Sequence, residues 1–242
     1  MEFQVVVMRY MEDVAWVENL ENAIIYNKGS RIESKHPVVN LPNIGMYHAS
    51  QLYHCIKNYN NLADMTLFIQ ANPWDGDLEV DLKIKNSSYG IGKMLEYYKT
   101  IPTGEMSSIP SRQHTLYKAY DQPFNWNQRH HNYFIKYTHS WQEFLDQLID
   151  PERTINWKRP TRFYRNGHIC LKKEAILSNP INYYVKLLEY WKYDVPCAEW
   201  YAESILGLIF NVGNNGKLVN LNHDVIDYSN LDDYTKWCYE LD

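Results

Sequence analysis

The early part of the chain alternates between two hydrophobic periods, and the alternation predicts its elements. Residues 3–8 form a continuous apolar run interrupted only by Gln4, the pattern of a strand covered on both faces. Beyond Glu12 and Asp13, Val14, Val17 and Leu20 recur at helical spacing with the two acids in the first turn, which predicts a short amphipathic helix. Residues 23–26 read as a second strand, Asn27-Lys28-Gly29-Ser30 as a turn, and 38–41 as a third strand. Leu52, Cys55, Ile56 and Tyr59 fall three and four residues apart and place a helix over 47–59. Residues 65–69 are another buried strand, ending at Gln70-Ala71-Asn72-Pro73.

This order predicts an α/β fold with a mostly parallel central sheet flanked by helices. Such sheets hold ligands at the carboxyl ends of their strands, so the loops 9–13, 27–29 and 70–77 become the candidates. The second half is less regular. Segment 86–137 is too polar for a continuous core and too aromatic for a linker, and reads as long loops laid over the sheet. Helical periodicity returns at 140–149, where Ser140 is the candidate N-cap and Trp141, Phe144, Leu145 and Leu148 form a stripe. Residues 169–171 read as a short strand, and 181–191 and 198–210 as helices, the first entered through Asn179-Pro180. The rest reads as a tail wrapping the domain. Neither an internal repeat nor a domain boundary is visible, and residues 1–242 read as one domain.

Composition narrows the function classes. A formal charge of −5 with 22% charged residues fits neither a disordered acidic chain nor a general polyanion binder, so nucleic acid is not the expected partner. Cys55, Cys170, Cys197 and Cys238 are scattered without a CxxC pair, which argues against a disulfide framework or structural zinc site. The N-terminus lacks a basic region followed by an apolar one, and no window has the length of a membrane span. A soluble, cytoplasmic protein with free thiols is expected. The outlier is aromatic content, 15% of the chain, with 21 Tyr and 8 Trp against 7 Phe; most of these rings carry a polar handle suited to half-wet positions.

Four groups of residues could carry chemistry. Asp75-Gly76-Asp77 follows the strand 65–69; two carboxylates on one loop can share Mn²⁺ or Mg²⁺ and leave positions open for phosphate oxygens, or they form an ordinary acidic turn around Gly76. Arg9, Tyr10, Glu12 and Asp13 end the first strand. They either offer helix amides, a stacking ring and carboxylates to a nucleotide, or the two acids simply cap the helix. Asn27 and Lys28 face the same choice, with Lys28 able to neutralise a diphosphate, and Gln70 ends the strand beside the acidic pair. Glu199 and Glu203 lie four apart on an otherwise apolar helix, where burial would raise a carboxyl toward the range of a general base; the alternative is a cap and a structural ion pair. Arg129-His130-His131 lacks a third ligand, and His48 and His54 read as polar helix positions. Gly90-Ile91-Gly92-Lys93 lacks the strand and remaining glycine of a dinucleotide loop.

Several blocks together carry a resemblance. Val5-Val6-Val7 leading to Arg9-Tyr10 and Glu12-Asp13, Ile25 to Gly29, Leu41 to Gly45, Asn58 to Leu62, and Leu67 to Gln70 before Asn72-Pro73 resemble an uncharacterised domain family related to GT-A-type glycosyltransferases. The similarity resumes from Ile176-Leu177 through Pro180 to Tyr184, and from Glu203 through Ile209-Phe210, so it covers roughly 3–80 and 165–210. The resemblance implies a GT-A-like fold that binds a nucleotide-diphospho-sugar. Asp75 and Asp77 would match the acidic metal motif, Tyr10, Glu12 and Asp13 would lie near the nucleotide, and Glu203 would match an acidic position of the C-terminal helix. Residues 1–80 would form the nucleotide-sugar half and 81–242 the acceptor side and tail. Met46-Tyr47 stands where the family usually has Arg-Glu, and 86–137 has no counterpart.

The expected activity is therefore a metal-dependent glycosyltransferase. It would take a UDP- or GDP-sugar donor with Mn²⁺ or Mg²⁺ and a glycan or protein-linked acceptor hydroxyl. If it inverts, Glu203 or Glu199 is the base. Trp74 and the rings Tyr117, Tyr120, Phe124, Trp126, Tyr133, Phe134 and Tyr137 would then offer an acceptor platform, while Trp141 and Trp191 read as helix core. Two rivals are a catalytically silent protein binding carbohydrate or nucleotide sugar on the same fold, and a metal-dependent phosphoesterase, for which more Asp and His ligands at strand ends would be expected.

Overall fold

The structure is a computed structural model that describes residues 1–72, 168–193 and 209–210. Asp75, Asp77, Glu199, Glu203, the segment 86–137, the helix expected over 140–149 and the C-terminal tail lie outside the described residues.

Five strands form one sheet: β1 (Phe3–Arg9), β2 (Ala23–Asn27), β3 (Val38–Asn40), β4 (Met65–Gln70) and β5 (Ile169–Lys172), in the order β3-β2-β1-β4-β5. β1 is central and pairs in parallel with β2, Val7 opposite Ile25, and with β4, Val7 opposite Ile69. β3 extends the parallel part beyond β2, and β5 runs antiparallel to β4, Leu67 opposite Cys170. The fold is thus mixed α/β, parallel across β3 to β4 and reversed at β5.

Both faces of the sheet are covered, which is why β1 and β4 read as unbroken apolar runs instead of alternating ones. Val5, Val7, Ile25, Leu67, Ile69 and Cys170 bury one face with Val14 and Val17. Val6, Met8, Tyr26, Phe68, Ile169 and Leu171 bury the other beneath α1 (Met46–Lys57) and α3 (Ile181–Tyr193), which pack together. The helix expected after Asp13 is a single 3-10 turn, Ala15–Asn19. Amides of Val17 and Leu20 bond the carbonyls three residues back, at 2.8 and 2.9 Å, and Trp16 reaches across to donate its indole N–H to the Ala71 carbonyl at 2.9 Å. Residues 10–13 are used for loop contacts, so the turn begins only at Ala15.

α1 begins after Gly45, whose φ of 60° lies in the left-handed region glycine tolerates. Its buried positions include several polar groups: His48, Ser50, Gln51 and His54 are buried with Leu52, Cys55 and Ile56. The Tyr26 hydroxyl and the Asn58 amide both bond Nδ1 of His54, at 3.0 and 3.2 Å. The amide nitrogen can only donate, so Nδ1 is the acceptor and the ring carries its proton on Nε2. Phe68 meets this ring edge to face at 5.4 Å.

The short helix α2 (Lys173–Leu177) is an element that the periodicity did not predict. Its link to α3 is held by Asn179, whose side-chain amide donates to the Tyr184 hydroxyl at 3.1 Å and the Ile209 carbonyl at 2.9 Å. Tyr59, just past α1, donates to the Asn179 carbonyl at 2.6 Å. These bonds fasten the C-terminal elements to the helix that precedes β4. Among the described residues no helix is long and apolar enough to cross a membrane. Cys55 and Cys170 are free and buried.

Candidate functional site at the carboxyl edge

The chain leaves β1 through the 3-10 turn on one face of the sheet and enters β4 from α1 on the other. In open α/β sheets, the carboxyl ends of neighbouring strands whose connections lie on opposite faces are where ligands commonly bind. Arg9 and the loop behind it, Asn27 and its loop, and Gln70 lie at this edge.

Two loops are clasped together there. Arg9, opposite Asn27 in the register, keeps only 7% of its surface exposed. Its Nε donates to the Glu12 carbonyl at 2.8 Å, and its Nη1 to the Tyr10 carbonyl at 3.0 Å, Asn27 Oδ1 at 2.6 Å and the Ser30 carbonyl at 3.0 Å. Asn27 continues the clasp, its amide nitrogen donating to the Ser30 carbonyl and to Asn40 Oδ1 at 3.1 and 2.9 Å. The Lys28 amide donates to the Arg9 carbonyl at 2.8 Å. Gly29 makes the close approach feasible, because a Cβ there would stand 1.5 Å from the Tyr10 carbonyl oxygen.

Glu12 Oε2 accepts the amides of Tyr10 and Met11, at 2.7 and 3.0 Å, and Asp13 Oδ1 accepts the Ala15 amide at 2.9 Å. Both acids thus serve local amides at the turn. Glu12 braces a loop whose apolar side chains face outward: Tyr10 is 51% exposed and Met11 58%. Lys28 donates its ammonium to the Ile44 carbonyl at 2.6 Å, tying the second loop to the entrance of α1.

Of the residues singled out in the sequence, the structure brings Arg9, Tyr10, Glu12, Asn27 and Lys28 into one cluster, with Asp13 at its flank. Gln70, opposite Met8 in the register, is half-buried at the same edge. Among the described residues no group of three or more His, Cys, Asp or Glu is arranged to hold a metal.

Ser30, Asn40 and His168 were absent from the sequence-based set, and Gly29 entered it only as the end of the candidate loop 27–29. His168 is buried one residue before β5, and neither ring nitrogen has a hydrogen-bond partner among the described residues. Continuing the register past Phe68 opposite Ile169 brings it to the level of Ile69, near the carboxyl edge. Burial pushes its pKa down to about 3, so the ring is neutral at physiological pH. No local pattern could have announced it, because its surroundings come from strands about a hundred residues earlier in the chain. The chain matches no protein-family model, no curated protein and no solved structure.

Proposed function

We propose that the protein is a metal-dependent glycosyltransferase that binds a nucleotide-diphospho-sugar at the carboxyl edge of its sheet. The observation that carries this reading is the switch in connection between β1 and β4, with an exposed Tyr10 ring on a loop braced by Glu12 and Arg9. A half-exposed aromatic ring at such a switch point suits a nucleobase, which stacks without needing base-specific donors. The sequence resemblance to the GT-A-related domain family supports the finer assignment of fold and donor.

Asp75 and Asp77 follow β4 in the sequence, five and seven residues past Gln70, and their hard carboxylate oxygens are donors of the kind Mn²⁺ and Mg²⁺ prefer. They are the residues that would hold the cation, whose chemistry is neutralisation of charge on the departing diphosphate. Tyr10 holds the base, Asn27 and Lys28 keep the second loop closed beneath it, and in an inverting reaction Glu203 or Glu199 receives the acceptor's proton.

Calorimetric titration with UDP- and GDP-sugars, with and without Mn²⁺, tests the reading. Cation-dependent binding that Asp77→Ala abolishes is expected. Absence of such binding, or an unchanged result in Asp77→Ala, would leave the protein without a transferase site. Glu203→Gln and Glu199→Gln test the proton acceptor, since wild-type turnover in both excludes an inverting base at either position.

A further inference from the structure

Among the described residues Arg9 is a buried cation without a counter-ion. A guanidinium removed from water normally faces a carboxylate, because its lost hydration is otherwise poorly replaced. Here all four recorded bonds go to uncharged oxygens, three main-chain carbonyls and the Asn27 amide. Two acids lie within four residues, yet Glu12 Oε2 faces the Tyr10 and Met11 amides and Asp13 Oδ1 the Ala15 amide. Among the described residues the single ion pair is at the far end of the sheet, between the N-terminus and Asp64.

The donor inventory is also incomplete. A guanidinium has five N–H groups. Nε uses one, and Nη1 places its two against three acceptors. Among the described residues Nη2 has no hydrogen-bond partner, yet it is not among the buried polar atoms sealed from solvent. The two donors of Nη2 are thus unspent at the carboxyl edge, next in the chain to the exposed Tyr10. The clasp engages the guanidinium through Nε and Nη1 alone.

We propose that Arg9 Nη2 is an oxyanion-binding donor, and that its ligand is a phosphate group of the nucleotide whose base stacks on Tyr10. The ligand's identity rests on the donor assignment above, whereas the oxyanion site stands on the geometry of Arg9. A phosphate oxygen there restores the missing negative charge, and the charge-assisted bond gains strength from the partly dehydrated setting. Lysine would be a poor replacement, since three donors on a flexible stem cannot bind four clasp oxygens and still present a planar edge.

The test uses the intact chain labelled with ¹⁵N-arginine. Guanidinium spectra are followed during titration with inorganic phosphate, then with UDP and GDP against uridine and guanosine in the presence of Mn²⁺. Saturable shifts of the Arg9 signals are expected with phosphate and with the binding diphosphate, and not with its nucleoside. Arg9→Lys should weaken the diphosphate about tenfold or more and the nucleoside less than about twofold, with thermal melting as the check that it folds. Diphosphate binding without Arg9 shifts, or equal loss of diphosphate and nucleoside in a folded Arg9→Lys, overturns the proposal and leaves the donor assignment standing. If no nucleotide binds, the nucleotide assignment falls, and the phosphate titration alone decides the oxyanion site: saturable Arg9 shifts sustain it and their absence ends it.

Discussion

Two buried polar networks of this protein solve the same problem differently. Beneath α1, His54 is fully buried and stays neutral: burial pushes its pKa down to about 4, and Tyr26 and Asn58 serve its single acceptor. At the carboxyl edge Arg9, nearly as enclosed, keeps its charge because a guanidinium does not give up its proton, and the loops must bring carbonyl oxygens to it. The first network joins a helix to a sheet with no net charge. The second joins two loops around a cation and leaves Nη2 unspent at the carboxyl edge. Polar burial at the first place is architecture; at the second it coincides with the proposed site.

Acid should separate the two most strongly. Burial lowers the pKa of His48 to about 3, of His54 to about 4 and of His168 to about 3 from an ordinary value of 6.5. The unfolded chain therefore binds more protons than the folded one below pH 6.5. The stabilisation from keeping these rings neutral is complete above that pH and is lost as pH falls toward 4 and then 3. Each histidine contributes a slope of up to about 1.4 kcal/mol per pH unit, or about 4 for the three together. Urea unfolding midpoints measured from pH 7 to 4 check this, and a flat profile would refute buried neutral histidines.

Gly29→Ala attacks the clasp alone. Its Cβ would collide with the Tyr10 carbonyl, and because that obstacle is backbone, the loops must part. A loss of about 3 kcal/mol is expected, at the upper end of overpacking effects, with nucleotide affinity falling alongside it. The Tyr26–His54 bond should persist, and retention of the Tyr26 and His54 ring signals in NMR spectra would confirm that the two networks are independent. Tyr10→Ala is the mildest change. The ring is half-exposed, so stability should move by less than about 0.5 kcal/mol, while loss of stacking on a base should weaken nucleotide binding by about 1–3 kcal/mol. Unaltered nucleotide affinity would remove Tyr10 from the site.

Much of the frame was legible in the chain. The expected strands at 3–8, 23–26, 38–41, 65–69 and 169–171 correspond to β1 to β5 with a shift of one residue at the C-terminal end of each, because unbroken apolar runs ending at polar or turn residues have few other uses. The helix expected over 47–59 became Met46–Lys57, and that expected over 181–191 became Ile181–Tyr193. The direction of β5 was not legible, since alternation in a strand carries no sign of which way its neighbour runs. The 3-10 turn was misjudged as a helix because the apolar spacing of Val14 and Val17 serves i→i+3 closure equally well.

For the site, strand order indicated the edge, and the residue types indicated groups able to meet a nucleotide. Which of those groups are already committed was decided by tertiary structure. Arg9 finds its partners at Asn27 and Ser30, 18 and 21 residues away, and Gly29 is required by a carbonyl from another loop. His168 is enclosed by contacts with no local signature. Hydrophobic period is written residue by residue and determines where elements form; hydrogen-bond satisfaction and burial belong to groups distant along the chain, and exist only once the loops of β1 and β2 have closed on each other.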